Sequence, residues 1–415
     1  VKGYETFLQA PTWDDIKVAA TETPLVYILT TSVGELALIV RQAEEITPVW
    51  LDGLTGTLLL EKIQGPGEEW GGYLGAYFSC LKDHKNSTTH QAWLNAIEEI
   101  TQWLWQVLWQ PLREKLPNQQ RITLIPVGVL NLLPLHAAWT ADSTQPTGRR
   151  YALDEVTIAY APNAVSLQKA RDLATHIQCD KLLAIDEPTP VTANPLPSSS
   201  VEVNAIARHF TQPKVFCCLR HADANLEDVR DALKLDYNVL HFSCHGGANL
   251  ANPLETGLLM ANYSNDDKDC SHILTVQDFF DAKLQARLAT LSACETGMIG
   301  TKNIEEVVGL PASLLQAGVA GVVASLWSVN DLSTALLMIK FYECFFQNPS
   351  DTAVALRTAQ RWLRDATQQE LLDWAKSTLS GDNLKEVEET LDCYNSDEKP
   401  YEKPYYWAAF CAVGQ

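Results

Sequence analysis

The sequence predicts an α/β fold with a mostly parallel sheet that is covered by helices on both faces. From residue 181 onward, short apolar runs typical of strands alternate with longer segments in which apolar residues recur at helical spacing. Strands separated by helices of this length favour parallel pairing, because a parallel connection must return to the starting end of the sheet. The expected strands are 182–185, 215–219, 239–242, 289–291 and 322–326, and the expected helices lie near 201–210, 226–235, 276–282 and 332–346.

The first part of the chain has a different pattern. Two apolar runs, 26–29 and 36–40, flank a short turn segment and predict a hairpin. A helix is expected over 93–108 and a strand over 122–125. A chain of 415 residues exceeds the size of one ordinary core, so we expect two units, residues 1–165 and 166–415.

Three further segments complete the expected fold. Residues 307–330 carry no charge, but Gly318 and Gly321 interrupt the run, which favours a helix ending at Gly318 followed by a buried strand over a membrane span. The polar, acidic segment 382–403 is expected to be an exposed loop, and the apolar run 405–413 an edge strand.

Composition limits the functional classes. The formal charge is −20, from 31 basic and 51 acidic residues, which argues against nucleic-acid binding. Ten cysteines are scattered without a C-x-x-C pair, so we expect reduced thiols in a cytoplasmic protein, with no structural metal and no cofactor. The N-terminus shows no signal-peptide pattern, and no membrane association is expected.

Two of the expected strands end at reactive side chains followed closely by glycine. His245 and Gly246 follow the strand at 239–242, and Cys294 follows the strand at 289–291. The carboxyl ends of parallel strands meet at one edge of a sheet, where sites are commonly built. The 49 residues from His245 to Cys294 (294 minus 245) match the spacing between the catalytic His and Cys of caspases.

This pair has a clear chemical use. A thiol is only slightly ionised near neutral pH, and an imidazole within reach can accept its proton. The N–H groups of Gly246 and Cys294 could then bind the oxygen of a tetrahedral intermediate, forming an oxyanion hole. The neighbouring His241 is expected to pack or hydrogen-bond internally, and Cys244 to point to the opposite face from His245 and join the core.

The segments 241–246, 291–297 and 325–331 resemble those of CHAT domains, which are caspase-related peptidases often attached to tetratricopeptide repeats. Stretches such as 126–138 and 405–410 are similar as well. The resemblance implies a caspase-like sheet, a degenerate caspase-like unit over 1–165 and an active unit over 166–415. It also implies the catalytic residues His245 and Cys294, and a regulatory protein or N-terminal repeat domain as a partner. The sequence departs from many relatives at Val127, where a His is expected.

The function expected from these observations is that of a cysteine endopeptidase acting on protein or peptide substrates. Related peptidases that prefer Arg or Lys before the scissile bond use acidic residues in that pocket, and Asp186 and Asp331 are the candidates here. Asp331 could instead cap the helix that starts near residue 332. Trp327 could form a pocket wall or be an ordinary packed aromatic. Two other functions remain open: a catalytically silent caspase-like scaffold, and a different thiol enzyme such as an acyl transferase.

Overall fold

The computed structural model describes residues 12–31, 34–65, 71–83, 86–145, 147–211, 215–249, 252–264, 271–294, 296–298, 309–347, 349 and 351–415. Its strands are β1 Leu25–Thr31, β2 Gly34–Val40, β3 Thr47–Trp50, β4 Arg121–Pro126, β5 Trp139–Ala141, β6 Arg149–Tyr151, β7 Thr157–Tyr160, β8 Lys181–Asp186, β9 Val215–Arg220, β10 Val239–Ser243, β11 Gly246–Gly247, β12 Gly257–Leu259, β13 Ile273–Thr275, β14 Ala286–Ser292, β15 Val319–Ser325 and β16 Phe410–Gly414.

The α-helices alternate with these strands through most of the chain. They are α1 Trp13–Ala19, α2 Gly56–Gln64, α3 Tyr73–Lys82, α4 Ser87–Leu104, α5 Gln110–Arg113, α6 Ala152–Glu155, α7 Ala164–Ala174, α8 Pro197–Ala207, α9 Leu226–Leu233, α10 Val276–Asp281, α11 Leu310–Ala317, α12 Asp331–Gln347, α13 Thr352–Asp365, α14 Gln368–Thr378, α15 Asp382–Leu391 and α16 Pro404–Trp407. A π-helical turn over Trp105–Trp109 joins α4 to α5. No helix in the described ranges is long and apolar enough to span a membrane.

Eleven of the strands form one mixed, mostly parallel sheet in the order β3-β2-β1-β4-β7-β16-β15-β14-β10-β8-β9. The pairs β1–β4, β4–β7, β7–β16, β15–β14, β14–β10, β10–β8 and β8–β9 are parallel. The predicted α/β fold class and the predicted alternation from residue 181 are confirmed. The hairpin is confirmed too, since β1 and β2 pair antiparallel from Leu25 opposite Val40 to Thr31 opposite Gly34.

The uncharged stretch after residue 308 folds as expected, with a helix that ends at a glycine. Gly318 follows α11 at a φ of 109°, in the left-handed region that glycine adopts without a Cβ penalty. A Cβ there would lie 2.1 Å from the carbonyl oxygen of Leu284, so the packing also requires glycine. All seven residues of β15 are buried. Residues 307–308 lie outside the described part of the chain.

The prediction of an edge strand at 405–413 was wrong. β16 lies inside the sheet, parallel to β7 on one side and antiparallel to β15 on the other. Its sequence is apolar at consecutive positions, which is the pattern of a strand buried on both faces and not of an edge. β16 therefore joins strands from before residue 165 to strands from after it. The division into units at residue 165 stays a prediction.

The prediction of a loop over 382–403 was also wrong in its first half. Residues 382–391 form α15, in which Val387 and Leu391 are fully buried and Leu384 packs against the same core. These apolar residues recur every three or four positions, which gives the helix one buried face. The acidic residues between them occupy the solvent side, so their number concealed the helical period.

Candidate active site

The parallel pairing of β10 and β14 sets the geometry of the candidate site. Ser243, the last residue of β10, pairs in register with Ser292, the last residue of β14. His245 and Cys294 each lie two residues beyond these serines, so the register brings them to the same level of the sheet edge. Gly246 lies against the cysteine segment: a Cβ at this position would come within 2.7 Å of the carbonyl oxygen of Cys294. A side chain at position 246 would force the two segments apart.

A buried carboxylate on α8 joins the two strand ends. Glu202 is 2% exposed, and its Oε2 accepts hydrogen bonds from the Oγ of Ser292 at 3.0 Å and the Oγ of Ser243 at 3.3 Å. Its Oε1 lies 3.0 Å from Nε2 of His241, although the two atoms are not aligned for a hydrogen bond. A buried charge requires such compensating partners. The network holds β10 and β14 in register directly beneath the two catalytic candidates.

His241 and Cys244 belong to the interior. His241 is fully buried, and its Nδ1 lies 3.3 Å from the hydroxyl of Tyr342. Cys244 is 2% exposed, and burial raises the pKa of its thiol, so it stays protonated and unreactive. Both side chains lie where the alternation of strand residues predicts them.

His245 is held in one tautomer by a backbone carbonyl. Its Nε2 lies 2.7 Å from the carbonyl oxygen of Asn194, in the loop between β8 and α8. A carbonyl can only accept, so Nε2 carries the proton and Nδ1 is left with its lone pair. Burial lowers the pKa of His245, although the Asn194 carbonyl and the Glu187 carboxylate act in the opposite direction. The imidazole is therefore neutral near neutral pH, which a general base requires.

Cys294 is positioned by residues that the sequence did not reveal. Its thiol donates to the Oγ of Ser328 at 3.2 Å, and the backbone N–H of Ser328 donates to the hydroxyl of Tyr77 on α3 at 3.0 Å. Gly297 donates its N–H to the carbonyl of Ser325 at 2.6 Å, which holds the cysteine loop against the end of β15. The first part of the chain thus contacts the immediate surroundings of the thiol.

The structure places Asp186 and Trp327 in packed surroundings. Asp186 is 1% exposed; its two oxygens accept from Nε of Arg220 at 2.5 Å and from the Oγ of Ser199 at 2.6 Å. Trp327 is fully buried and donates its indole N–H to the carbonyl of Tyr405 at 3.1 Å. Neither side chain is available to a substrate without breaking these contacts. This geometry fits the packed-aromatic interpretation of Trp327.

Asp331 is the best placed of the three predicted substrate-binding residues. It is partly exposed, and its Oδ2 accepts from the backbone N–H of Ser198, in the first turn of α8, at 2.8 Å. Burial raises the pKa of Asp331 against the opposing effect of the hydrogen bonds from Ser198, and the carboxylates of Glu202 and Glu386 add to the increase. The capping interpretation was wrong for α12 itself, because Asn330 accepts from the N–H of Ser333 at that helix start.

One Cys–His contact, between Cys411 and His136, is chemically silent. Sγ of Cys411 lies 3.9 Å from Nδ1 of His136, and the hydroxyl of Tyr160 lies 2.9 Å from the same nitrogen. Burial lowers the pKa of His136 to about 4 and raises that of the Cys411 thiol. Both groups stay neutral, so proximity alone does not produce a nucleophile. Among the described residues, no group of three or more His, Cys, Asp or Glu side chains could hold a metal ion.

The sheet and the paired strand ends define a protein with a caspase-like fold. The sequence profile of the CHAT domain matches residues 98–415, which is more than half of the chain. The chain belongs to the CHAT domain family.

Two solved structures of one complex support the assignment of the fold. In a 2.6 Å crystal structure of the separase–securin complex of Saccharomyces cerevisiae, a chain is 10% identical to this one and superposes with a TM-score of 0.56. The match covers 96% of this chain and 30% of that chain; a second structure of the complex gives a TM-score of 0.52. The Arg-specific cysteine proteinase gingipain R is 11% identical, over 77% of this chain and 67% of that one, with a TM-score of 0.40. No match was found among curated proteins.

We predict that Glu202→Ala lowers the free energy of unfolding by about 3 kcal/mol, because it leaves the buried hydroxyls of Ser243 and Ser292 without their acceptor. Glu202→Gln should cost less, since the amide oxygen can still accept from Ser292. Urea unfolding of the two variants measures this effect. The exposed Glu227→Ala serves as a control and should change stability by less than about 0.5 kcal/mol. Equal stability of Glu202→Ala and the parent protein would show that the network does not hold the strand ends.

Proposed function

We propose that the chain is a cysteine endopeptidase in which Cys294 is the nucleophile and His245 the general base. The observation that carries the proposal is the register of β10 and β14, which places these residues two positions past a matched pair of serines. The tautomer set by Asn194 leaves Nδ1 of His245 free to accept a proton, and the depressed pKa of His245 keeps the base neutral.

The proposed reaction follows from these groups. The thiol proton of Cys294 moves to Nδ1 of His245 as Sγ bonds to the scissile carbonyl carbon, and the carbonyl oxygen takes the negative charge. The N–H groups of Gly246 and Cys294 stabilise that oxygen. The C–N bond then breaks, with the proton passing from His245 to the leaving amine. Water, deprotonated by His245, hydrolyses the thioester and regenerates the thiol.

Regulation by a protein partner forms part of the proposal. Separase in the matched structures is bound to securin, and the likeness of fold makes a protein regulator a reasonable expectation here. An attached repeat domain is the alternative source of regulation. The proposed cytoplasmic location rests on cysteine usage, because the ten cysteines are scattered along the chain without a C-x-x-C pair.

We predict that Cys294→Ala and His245→Ala each reduce peptide cleavage by at least about a thousandfold, because nucleophile and base act as a unit. Cys244→Ala is the matched control, since it removes a neighbouring buried thiol and should retain most of the activity. Cleavage kinetics, with circular dichroism to verify folding, test this. Full activity in either dyad variant would refute the assignment. A folded parent protein that cleaves no peptide with or without a partner would favour the silent scaffold.

We further predict that cleavage favours Arg or Lys before the scissile bond, with Asp331 supplying the countercharge. A partly buried carboxylate facing a guanidinium forms a strong paired contact, so Arg peptides should react roughly a hundredfold faster than Leu peptides. Asp331→Asn should erase most of this preference. Asp186→Asn should instead reduce stability, because it disrupts the pair with Arg220. Equal cleavage rates for Arg and Leu peptides in the parent protein would refute the predicted preference for a basic residue.

A further inference from the structure

Glu187 lies at the end of β8, beside the strand that leads to His245. Its backbone N–H donates to the carbonyl of Ser243 at 2.9 Å, so the residue is fixed to the end of β10. Its φ is 41°, in the left-handed region that a residue with a Cβ seldom adopts. Such a conformation persists where surrounding contacts impose it, and it is frequent at functional sites.

The carboxylate of Glu187 anchors the end of the loop that leads from β8 to α8. Oε1 accepts from the backbone N–H of Leu196 at 2.7 Å. Two residues before Leu196 is Asn194, whose carbonyl oxygen accepts from Nε2 of His245 at 2.7 Å. Where α8 begins, the carbonyl of Leu196 accepts from the N–H of Ser199 at 3.0 Å. Two backbone hydrogen bonds join the loop to residues 262–263, Asn262 N–H to Pro190 O at 2.7 Å and Thr192 N–H to Tyr263 O at 3.1 Å. Both lie before Asn194, so the Glu187 contact anchors the loop on the far side of that carbonyl.

The charge of Glu187 also acts on the imidazole. Of the described ionisable groups, Glu187 after β8 acts electrostatically on His245, and the buried Cys244 thiol adjoins it on its own segment. His221, after β9, contacts Glu187 in turn, with its Nδ1 3.2 Å from the carbonyl oxygen of Glu187 and 4.0 Å from Oε2. Glu187 is the carboxylate whose charge raises the pKa of His245 against the effect of burial. A nearby negative charge favours the imidazolium over the neutral ring.

We propose that Glu187 is a positioning residue for His245: its carboxylate holds the loop over residues 188–196 so that the Asn194 carbonyl fixes the His245 tautomer, and its charge stabilises the imidazolium that forms when Cys294 loses its proton. The proposal rests on the role of His245 as the base. Two effects of one side chain are involved, and they can be separated by substitution. Glu187→Gln keeps an acceptor for Leu196 and removes the charge, whereas Glu187→Ala removes both.

The experiment is nitrogen-15 NMR of the histidine side chains in full-length protein carrying Cys294→Ala, so that no thiol titrates together with His245. The His245 signals are assigned by their loss in His245→Gln. Gln and Ala both retain a Cβ, so the strain of the positive φ is common to the variants. Glu227→Gln, which removes an exposed charge on α9, is the matched control.

In Glu187→Gln we expect His245 to remain protonated at Nε2 while its pKa falls, because a negative charge that favoured the imidazolium is gone. In Glu187→Ala we expect the pKa to fall and a mixture of tautomers to appear. With Cys294 present, kcat of Glu187→Ala should drop roughly tenfold to a hundredfold with a smaller change in KM. The kcat of Glu187→Gln should lie between that of Glu187→Ala and that of the parent protein. Glu227→Gln should match the parent protein in every measurement.

An unchanged His245 pKa in Glu187→Gln would refute the proposed effect of the Glu187 charge. An unchanged His245 tautomer in Glu187→Ala would refute the proposed positioning of the loop. If Glu187→Ala does not fold, Glu187→Gln still tests the effect of charge, and Leu196→Pro, which removes the donor N–H, tests the loop contact. The NMR measurement needs no cleavage. A parent protein without peptidase activity but with the expected NMR shifts would refute the proposed function and leave the positioning role standing.

Discussion

The candidate site depends on the hydrogen bonds that the buried carboxylate of Glu202 accepts from two strand ends. One buried side chain accepts from Ser243 at the end of β10 and from Ser292 at the end of β14, and thereby bridges these two neighbouring strands. Burying a carboxylate costs free energy unless hydrogen bonds replace the lost water. Both serine hydroxyls can reach Glu202 only when the ends of β10 and β14 lie side by side. The same condition places His245 level with Cys294, so the two proposed catalytic residues follow strand ends at one edge of the sheet.

The surroundings of His245 and Cys294 differ from those of His136 and Cys411. His245 and Cys294 lie at strand ends near the surface, with a backbone carbonyl on one imidazole nitrogen and a serine hydroxyl at the thiol. His136 and Cys411 lie inside the core, where burial favours the neutral form of each. The contacts from Tyr77 to Ser328 and from Trp93 to Trp327 connect the first part of the chain to the cysteine loop. A regulator that acts on α3 or α4 therefore has a direct route to the thiol.

Sequence patterns predicted the parallel strands β8, β9, β10, β14 and β15 because each is a short apolar run between helical segments. They also predicted that His245 and Cys294 follow the ends of two of these strands, since each apolar run is followed by a recognisable side chain and small residues. The Asn194 carbonyl could not be predicted, because every residue has a carbonyl and only the folded loop selects one. Asp186 was chosen for its position after a strand, but the sequence did not show that Arg220 and Ser199 would lie beside it. β16 was misplaced because its neighbours in the sheet come from distant parts of the chain.

The central claim is that the level ends of β10 and β14 make Cys294 the reactive thiol of the protein. Reaction with a peptide that carries an electrophilic ketone after an Arg residue, followed by mass spectrometry of the digested protein, tests it most directly. We expect one molecule to attach, at Cys294, and the rate of attachment to fall steeply when His245 is replaced by Gln. Attachment mainly at an exposed thiol such as Cys393, at a rate that does not depend on His245, would contradict it.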